Sequence, residues 1–122
     1  MVGVLVDACG WAALMDAKLN IDDAMKEVVG QAELMVLESV HRELDLLSQQ
    51  RKGLLLSLLE SRSERVLDLD GMSHPDEMLV TLSGSRRWPV LTVDRDLKER
   101  LISSGGSYIE VASGRFLRLV ET

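Results

Sequence analysis

Apolar and polar positions fall in blocks along the chain, and the period changes from block to block. Residues 2–6 are an unbroken apolar run of β type, which predicts a buried central strand ending at Asp7. Cys9-Gly10 turns the chain into a helix that begins with Trp11. Asn20 and Asp22 can cap a second helix running to Val29, with Gly30 as its stop. A second strand is expected over 33–37. Ser39 then caps a helix over 40–48, where Val40, Leu44 and Leu47 form one stripe at about 100° per residue. Residues 51–61 predict a Leu-rich helix (Leu54, Leu55, Leu56, Leu58, Leu59). Leucine falls on too many of its faces for one contact, so the helix is either buried on two sides or packed on a second subunit. A short third strand is expected over 65–69, and a Ser73/Asp76 capping box opens a helix reaching 83. The apolar run from Pro89 reads as a buried strand, and Leu97 and Leu101 share one stripe of the helix after it. Ser103-Ser104-Gly105-Gly106 stops that helix, and strands at 107–112 and 115–120 close the chain as a hairpin around Ser113-Gly114.

Strands alternating with helices predict an α/β fold: a three-layer α/β/α sandwich with a mostly parallel central sheet and a C-terminal hairpin. The 122 residues suit one domain over 1–122. A formal net charge of −6 argues against a broad basic surface for nucleic acid. It leaves room for a nuclease whose acids are held together by metal. The single cysteine, Cys9, permits no internal disulfide and predicts a reducing, cytoplasmic setting. The longest aliphatic cluster, 53–59, is too short to cross a membrane. No basic region precedes the first strand, so no signal peptide is expected.

In an open α/β sheet, ligands sit outside the carboxyl ends of the strands. Asp7 ends the first strand, and Thr92, Asp94 and Asp96 follow the fourth. Glu43 lies about 60° from Val40, at the edge of its apolar stripe, while Arg42, Asp45 and Glu38 point away. Asp76 falls on the stripe of Leu79 and Leu82. Each acid also has an ordinary role: Asp7 and Asp94 as helix caps, Glu43 as a margin residue reaching water, Asp76 in its capping box. Asp7, Glu43, Asp76 and Asp94 gathered in one cleft would repel one another, unless protons are shared or hard divalent ions are bound. Oxygen ligands without His or Cys favour Mg2+ or Mn2+. Two such ions about 4 Å apart can activate water and stabilise a leaving oxygen in phosphodiester hydrolysis. His41 and His74 have no His, Cys or acidic partner at zinc-ligand spacing and read as surface residues. Asp68-Leu69-Asp70-Gly71 imitates a haloacid-dehalogenase phosphatase motif and a receiver phospho-acceptor strand. Only 51 residues follow it, and Asp7-Ala8 lacks the paired acids of a receiver, so both are set aside. Arg86, Arg87, Arg95, Lys98, Arg100, Arg115 and Arg118 crowd the last 37 residues, either as contacts for a substrate backbone or as a solvated charged surface.

Val4-Leu5-Val6-Asp7, Val40-His41-Arg42-Glu43-Leu44, Pro75-Asp76-Glu77 and Leu91-Thr92-Val93-Asp94-Arg95-Asp96-Leu97, in this order and spacing, resemble a PIN-domain nuclease over nearly the whole chain. The resemblance implies a compact α/β/α sandwich, metal-dependent cleavage of single-stranded RNA and frequent homodimers. Asp7, Glu43, Asp76 and Asp94 match the family's acidic cluster, Thr92 its assisting hydroxyl and Asp96 a frequent extra acid. Arg86, Arg87, Arg95 and Lys98 are then the candidates for the substrate backbone. The Thr-x-Asp-x-x-Leu run and the hairpin look more like the ribosomal-RNA-processing branch than the VapC toxin branch, so a processing factor or an antitoxin is the protein partner implied. One departure stands out. Ala8 and Cys9 occupy positions where the family usually carries Thr or Ser and then Ser or Asn. The loss of an orienting hydroxyl there implies weak metal binding or an inactive site. The alternative is a PIN-like module that binds RNA or a protein partner without cleavage.

Overall fold

The apolar runs do pair side by side. In the computed structural model, which describes residues 2–50 and 56–122, the elements are β1 (Val2–Val6), α1 (Ala8–Asp16), α2 (Ile21–Val29), β2 (Ala32–Leu37), α3 (Glu38–Gln50), α4 (Leu56–Arg62), β3 (Ser63–Val66), α5 (Pro75–Arg86), β4 (Val90–Leu91), α6 (Arg95–Ser103), β5 (Ser107–Ala112) and β6 (Phe116–Glu121). One six-stranded sheet runs in the order β3-β2-β1-β4-β5-β6. Every pairing is parallel except the closing β5–β6 hairpin. Chain order reverses between β1 and β4, so the topological switch point lies there. Helices α5 and α6 pack together, as do α1 and α3. Right-handed crossovers put these two pairs on opposite faces of the sheet.

Strand β1 is the centre of the core, with Val4, Leu5 and Val6 fully buried. A strand buried on both faces needs no polar alternation, which is why its sequence is a continuous apolar run. Strand β4 is short in pairing, yet backbone bonds extend its reach. Leu5 N donates to Pro89 O at 2.9 Å, Asp7 N to Leu91 O at 3.0 Å and Thr92 N to Ile109 O at 3.0 Å. These bonds lock the ends of β1, β4 and β5 into one register.

Two glycines permit close approach at this centre. A Cβ on Gly10 would lie 2.1 Å from Leu91 O and 2.8 Å from Thr92 N. Helix α1 therefore starts pressed against the backbone at the end of β4. A Cβ on Gly3 would lie 2.6 Å from the Trp88 indole, which covers that position. At the far side, buried Glu110 on β5 binds Lys98 of α6 (Nζ to Oε1, 2.9 Å) and Arg118 of β6, tying hairpin to helix.

Several boundaries differ from the sequence expectation. Helix α1 begins at Ala8, not Trp11, with Asp7 as its N-cap. Ser39 does not cap the third helix. The helix starts one residue earlier, and Asp68 reaches back from beyond β3 to accept from Ser39 N (3.1 Å) and Ser39 Oγ (3.0 Å). Strand β3 ends at Val66, and Leu67 is 72 % exposed. The chain leaves the sheet there to deliver Asp68. The Ser73/Asp76 capping box is not made. Helix α5 begins at Pro75 with His74 as N-cap and no side-chain cap bond, and runs on to Arg86. Of the Leu-rich helix, residues 51–55, Leu54 and Leu55 among them, lie outside the described residues. In α4, Leu59 is fully buried, and Leu56 and Leu58 pack against the same core. Leu56 and Leu58 are only partly buried. No helix among the described residues is long and apolar enough to cross a membrane.

Because the atoms facing Gly10 are backbone, they cannot swing aside. Gly10→Ala should cost about 3 kcal/mol, the overpacking penalty of a rigid site, read as a lower midpoint in chemical denaturation. An unchanged midpoint would mean that α1 does not rest on β4.

Candidate active site

Asp7 stands at the carboxyl end of β1 and is 7 % exposed. Its two oxygens have different duties. Oδ1 accepts from Ala8 N at 3.0 Å, so the residue does cap α1. Oδ2 accepts from the Thr92 hydroxyl at 2.8 Å and from the Cys9 thiol at 3.1 Å. Thr92, fully buried just past β4, also accepts from Asp94 N at 3.1 Å. A single hydroxyl therefore links the first acid of β1 to the turn that carries Asp94. Asp94 caps α6 through Oδ1, which accepts from Leu97 N at 3.0 Å.

Glu43 and Asp76 approach this pair from two other elements. Partial burial pushes the Glu43 carboxyl above the usual range, and the charges of Asp7 and then Asp76 add to it. Burial likewise raises Asp76, followed by Asp7 and Asp94, while Arg100 and His74 pull it back only in part. Asp76 thus lies within electrostatic reach of Asp7 and Asp94, and Glu43 within reach of Asp7 and Asp76. Their oxygens remain spread: among the described residues, only His41, Asp45 and Glu60 bring three ligand atoms within 4.8 Å of one another. A set of oxygen donors spread in this way fits a hydrated Mg2+ or Mn2+ held through one or two carboxylates and water, better than a closed protein cage.

The remaining candidates divide. Asp96 is exposed in the first turn of α6. The charges that bear on Asp76 are those of Asp7, Asp94, Arg100 and His74, not Asp96. Arg95 follows Asp94 directly, and its side chain is 91 % exposed beside Glu99 at 3.7 Å. Arg86 lies over the Trp88 ring at 5.6 Å, and Arg87 ends α5 in a left-handed conformation with φ 58°. Lys98 is engaged elsewhere, bound to Glu110 and 5.4 Å from the Tyr108 ring centre.

Three site-related features escaped the sequence reading. The orienting donor thought to be missing at Ala8-Cys9 is present: the Cys9 thiol and the Thr92 hydroxyl both donate to Asp7 Oδ2. Burial, and then the Asp7 charge, raise the thiol above its ordinary value, which keeps it a protonated donor. The Arg100 charge acts on Asp76 from α6, an effect between helices that no local spacing announces. His41, read as a lone surface residue, has acidic partners in Asp45 (3.5 Å) and Glu60 (2.9 Å). The His41–Asp45 spacing of i, i+4 was in the sequence, and it is the usual signal for a pair on one helix face. A cavity of about 650 Å³ opens at the other end of β2, lined by Ile21, Met25, Lys26, Ala32, Leu34 and Arg62 among others, and it contains none of the four acids.

No protein-family model matches the chain, and no curated protein matches it. Solved structures do. The PIN domain endonuclease Utp24 superposes with a TM-score of 0.81 at 19 % identity, over 98 % of this chain and 92 % of that one. PAE2754 from Pyrobaculum aerophilum superposes with a TM-score of 0.58 at 19 % identity, over 81 % of this chain and 79 % of that one. The chain therefore has the PIN fold.

Thr92→Val keeps the shape of the side chain and removes the shared hydroxyl. It leaves Asp94 N without its acceptor and Asp7 Oδ2 without its shorter donor. The expected cost is about 2 kcal/mol in chemical denaturation, as for other unsatisfied buried groups. Cys9→Ser, which retains a donor, should cost less than half of that, and equal losses in both would contradict the assigned roles. A second prediction concerns pH. Glu43 and Asp76 have folded-state values raised above 4.5 and 3.8, their ordinary ones. Their penalty is absent below those ordinary values and grows as pH rises through the raised ones. Without divalent ions, Asp76→Asn should therefore raise the melting temperature at pH 8 and leave it nearly unchanged at pH 3. An equal shift at both pH values would argue against charge crowding.

Proposed function

We propose that this chain, a PIN fold, is a divalent-metal-dependent endoribonuclease acting on single-stranded RNA in a reducing cytoplasm. The observation that carries the reading is the hydroxyl bridge from Asp7 to the Asp94 turn, with Glu43 and Asp76 crowding the same space at the strand ends. Such crowding of negative charge is costly without a cation. The likeness to an endonuclease of the same fold supports nuclease chemistry and an endonucleolytic cut.

In this reading Asp7 and Asp94 hold the principal ion, with Asp76 beside them. Each aspartate uses Oδ1 for its helix cap; Asp94 then has Oδ2 for an ion, while Asp7, whose Oδ2 already accepts from Thr92 and Cys9, has the second lone pair of Oδ1. Thr92 and Cys9 hold Asp7 in one orientation. When bound, Mg2+ or Mn2+ activates water and neutralises developing charge on the phosphate oxygens. Glu43 stands across from Asp7 with a raised carboxyl, suited to holding a second ion or to taking a proton from the attacking water at its carboxylate. The in-line displacement leaves a 5′-phosphate and a 3′-hydroxyl. Arg95, exposed next to Asp94, meets the substrate backbone, with Arg86 and Arg87 at the end of α5 as further contacts. Lys98 acts through structure, since Glu110 holds it. Asp96 is an auxiliary acid at the rim. A homodimer, and a processing factor or antitoxin as partner, belong to the proposal without a specific surface.

The test is cleavage of labelled single-stranded RNA in Mg2+ or Mn2+ by wild type and Asp94→Asn. Losing a ligand to the principal ion removes several kcal/mol of transition-state stabilisation, so the rate should fall at least about 100-fold. Equal cleavage by both proteins would remove the enzyme. Tight RNA binding by wild type with no cleavage in either metal would favour a binding module.

A further inference from the structure

We propose that His41, Asp45 and Glu60 form a second metal site, distinct from the four acids and selective for a borderline divalent ion such as Zn2+ or Co2+. The three residues each offer one ligand atom, and those atoms lie within 4.8 Å of one another. His41 Nε2 is 2.9 Å from Glu60 Oε1, and Nδ1 is 3.5 Å from Asp45 Oδ2. His41 and Asp45 come from α3 and Glu60 from α4, so the ligands span two helices rather than one exposed turn.

Burial favours a prepared site. The His41 side chain is 14 % exposed and the two carboxylates 51 % each. The imidazole is thus fixed in place while both acids keep a path to solvent, which an arriving ion needs. With Nε2 on the ion beside Glu60, Nδ1 can donate to Asp45 Oδ2, which fixes the tautomer and leaves Asp45 its other oxygen for the ion. One nitrogen and two carboxylate oxygens, with the remaining positions left to water, suit Zn2+, Co2+ or Ni2+. Mg2+, which favours oxygen and near-ideal octahedral geometry, is disfavoured there. This separates the site chemically from the all-oxygen cluster around Asp7. A bound ion would bridge α3 to α4 and so brace the helix that carries Glu43. The inference does not depend on nuclease activity.

The experiment titrates Zn2+ and Co2+ into the metal-stripped full chain, following thermal stabilisation, and visible absorption for Co2+. Wild type, His41→Gln, Glu60→Gln and Asp94→Asn are compared. We expect Zn2+ to stabilise wild type and Asp94→Asn alike. Apparent affinity should fall at least about tenfold in His41→Gln and in Glu60→Gln, no less than the loss seen when groups supporting a metal ligand are removed. Zn2+ leaving wild type unstabilised, or stabilising His41→Gln as strongly as wild type, would reduce the trio to an ion-pair contact. Loss of the response in Asp94→Asn instead would send the ion to the acid cluster and overturn the second site.

Discussion

The Thr92 hydroxyl is the interaction on which the site depends. It is fully buried, donates to Asp7 at 2.8 Å and accepts from Asp94 N at 3.1 Å. A hydroxyl can do both at once because it carries one proton and two lone pairs. The bridge forms only if β1 and β4 are neighbours and their ends are level. Parallel pairing across the switch point meets that condition, with Leu5 opposite Val90 and Val6 opposite Leu91. It also requires α1 to leave β1 hard against β4, and the missing side chain of Gly10 allows this. Sheet order, one glycine and one hydroxyl together determine where the first and last acids stand.

Four cations elsewhere in the chain are committed to structure. Arg42 binds Asp68, Arg62 binds Asp22, and Lys98 and Arg118 bind Glu110. Burial works to raise Asp68, but the Ser39 amide and hydroxyl and then Arg42 outweigh it and hold that carboxyl below its ordinary value. Glu110 follows the same pattern with Lys98 and Arg118. Glu43 and Asp76 move the opposite way. The same kind of group is thus stabilised as an anion where it holds helices and strands together, and destabilised as an anion at the switch point.

Much of this was legible in the sequence because it follows from period and order. The apolar run at Val4-Leu5-Val6, the strand–helix alternation and the polar turn after Leu91 gave the layers, the reversal at β1/β4 and the meeting of Asp7 with Asp94. Helical angle put Glu43 at the margin of its apolar stripe, and the residue is exposed there. The failures share a physical cause. Asp68 caps α3 from 29 positions away, so a local scan assigned that role to Ser39. The capping box at Ser73 has the right letters, yet Pro75 begins the helix and His74 precedes it without a side-chain bond. Besides the local Cys9 thiol, the donor that holds Asp7 is Thr92, 85 positions away. Lys98 on α6 was read as a substrate-backbone candidate because its partner Glu110 lies on β5. Spacing reports neighbours within an element, whereas these contacts join different elements.

Capping and metal-binding roles for the same aspartates looked like rivals in the sequence, and the geometry makes them compatible. Asp7 and Asp94 each use one oxygen for a helix cap, which holds the side chain in a single rotamer and turns the carboxylate into a preset donor. Asp76 tests this logic by contrast. It sits in the first turn of α5, where the helix field favours a negative charge, and no side-chain cap is formed there. Its carboxyl is nevertheless raised, by burial first and by Asp7 and Asp94 next. Burial and crowding at the switch point therefore exceed both the helix field and the opposing charges of Arg100 and His74. An acid that remains protonation-prone at a helix N-terminus is held there against its local electrostatic preference, and a cation arriving among the four carboxyls would relieve Asp76 and Glu43 together.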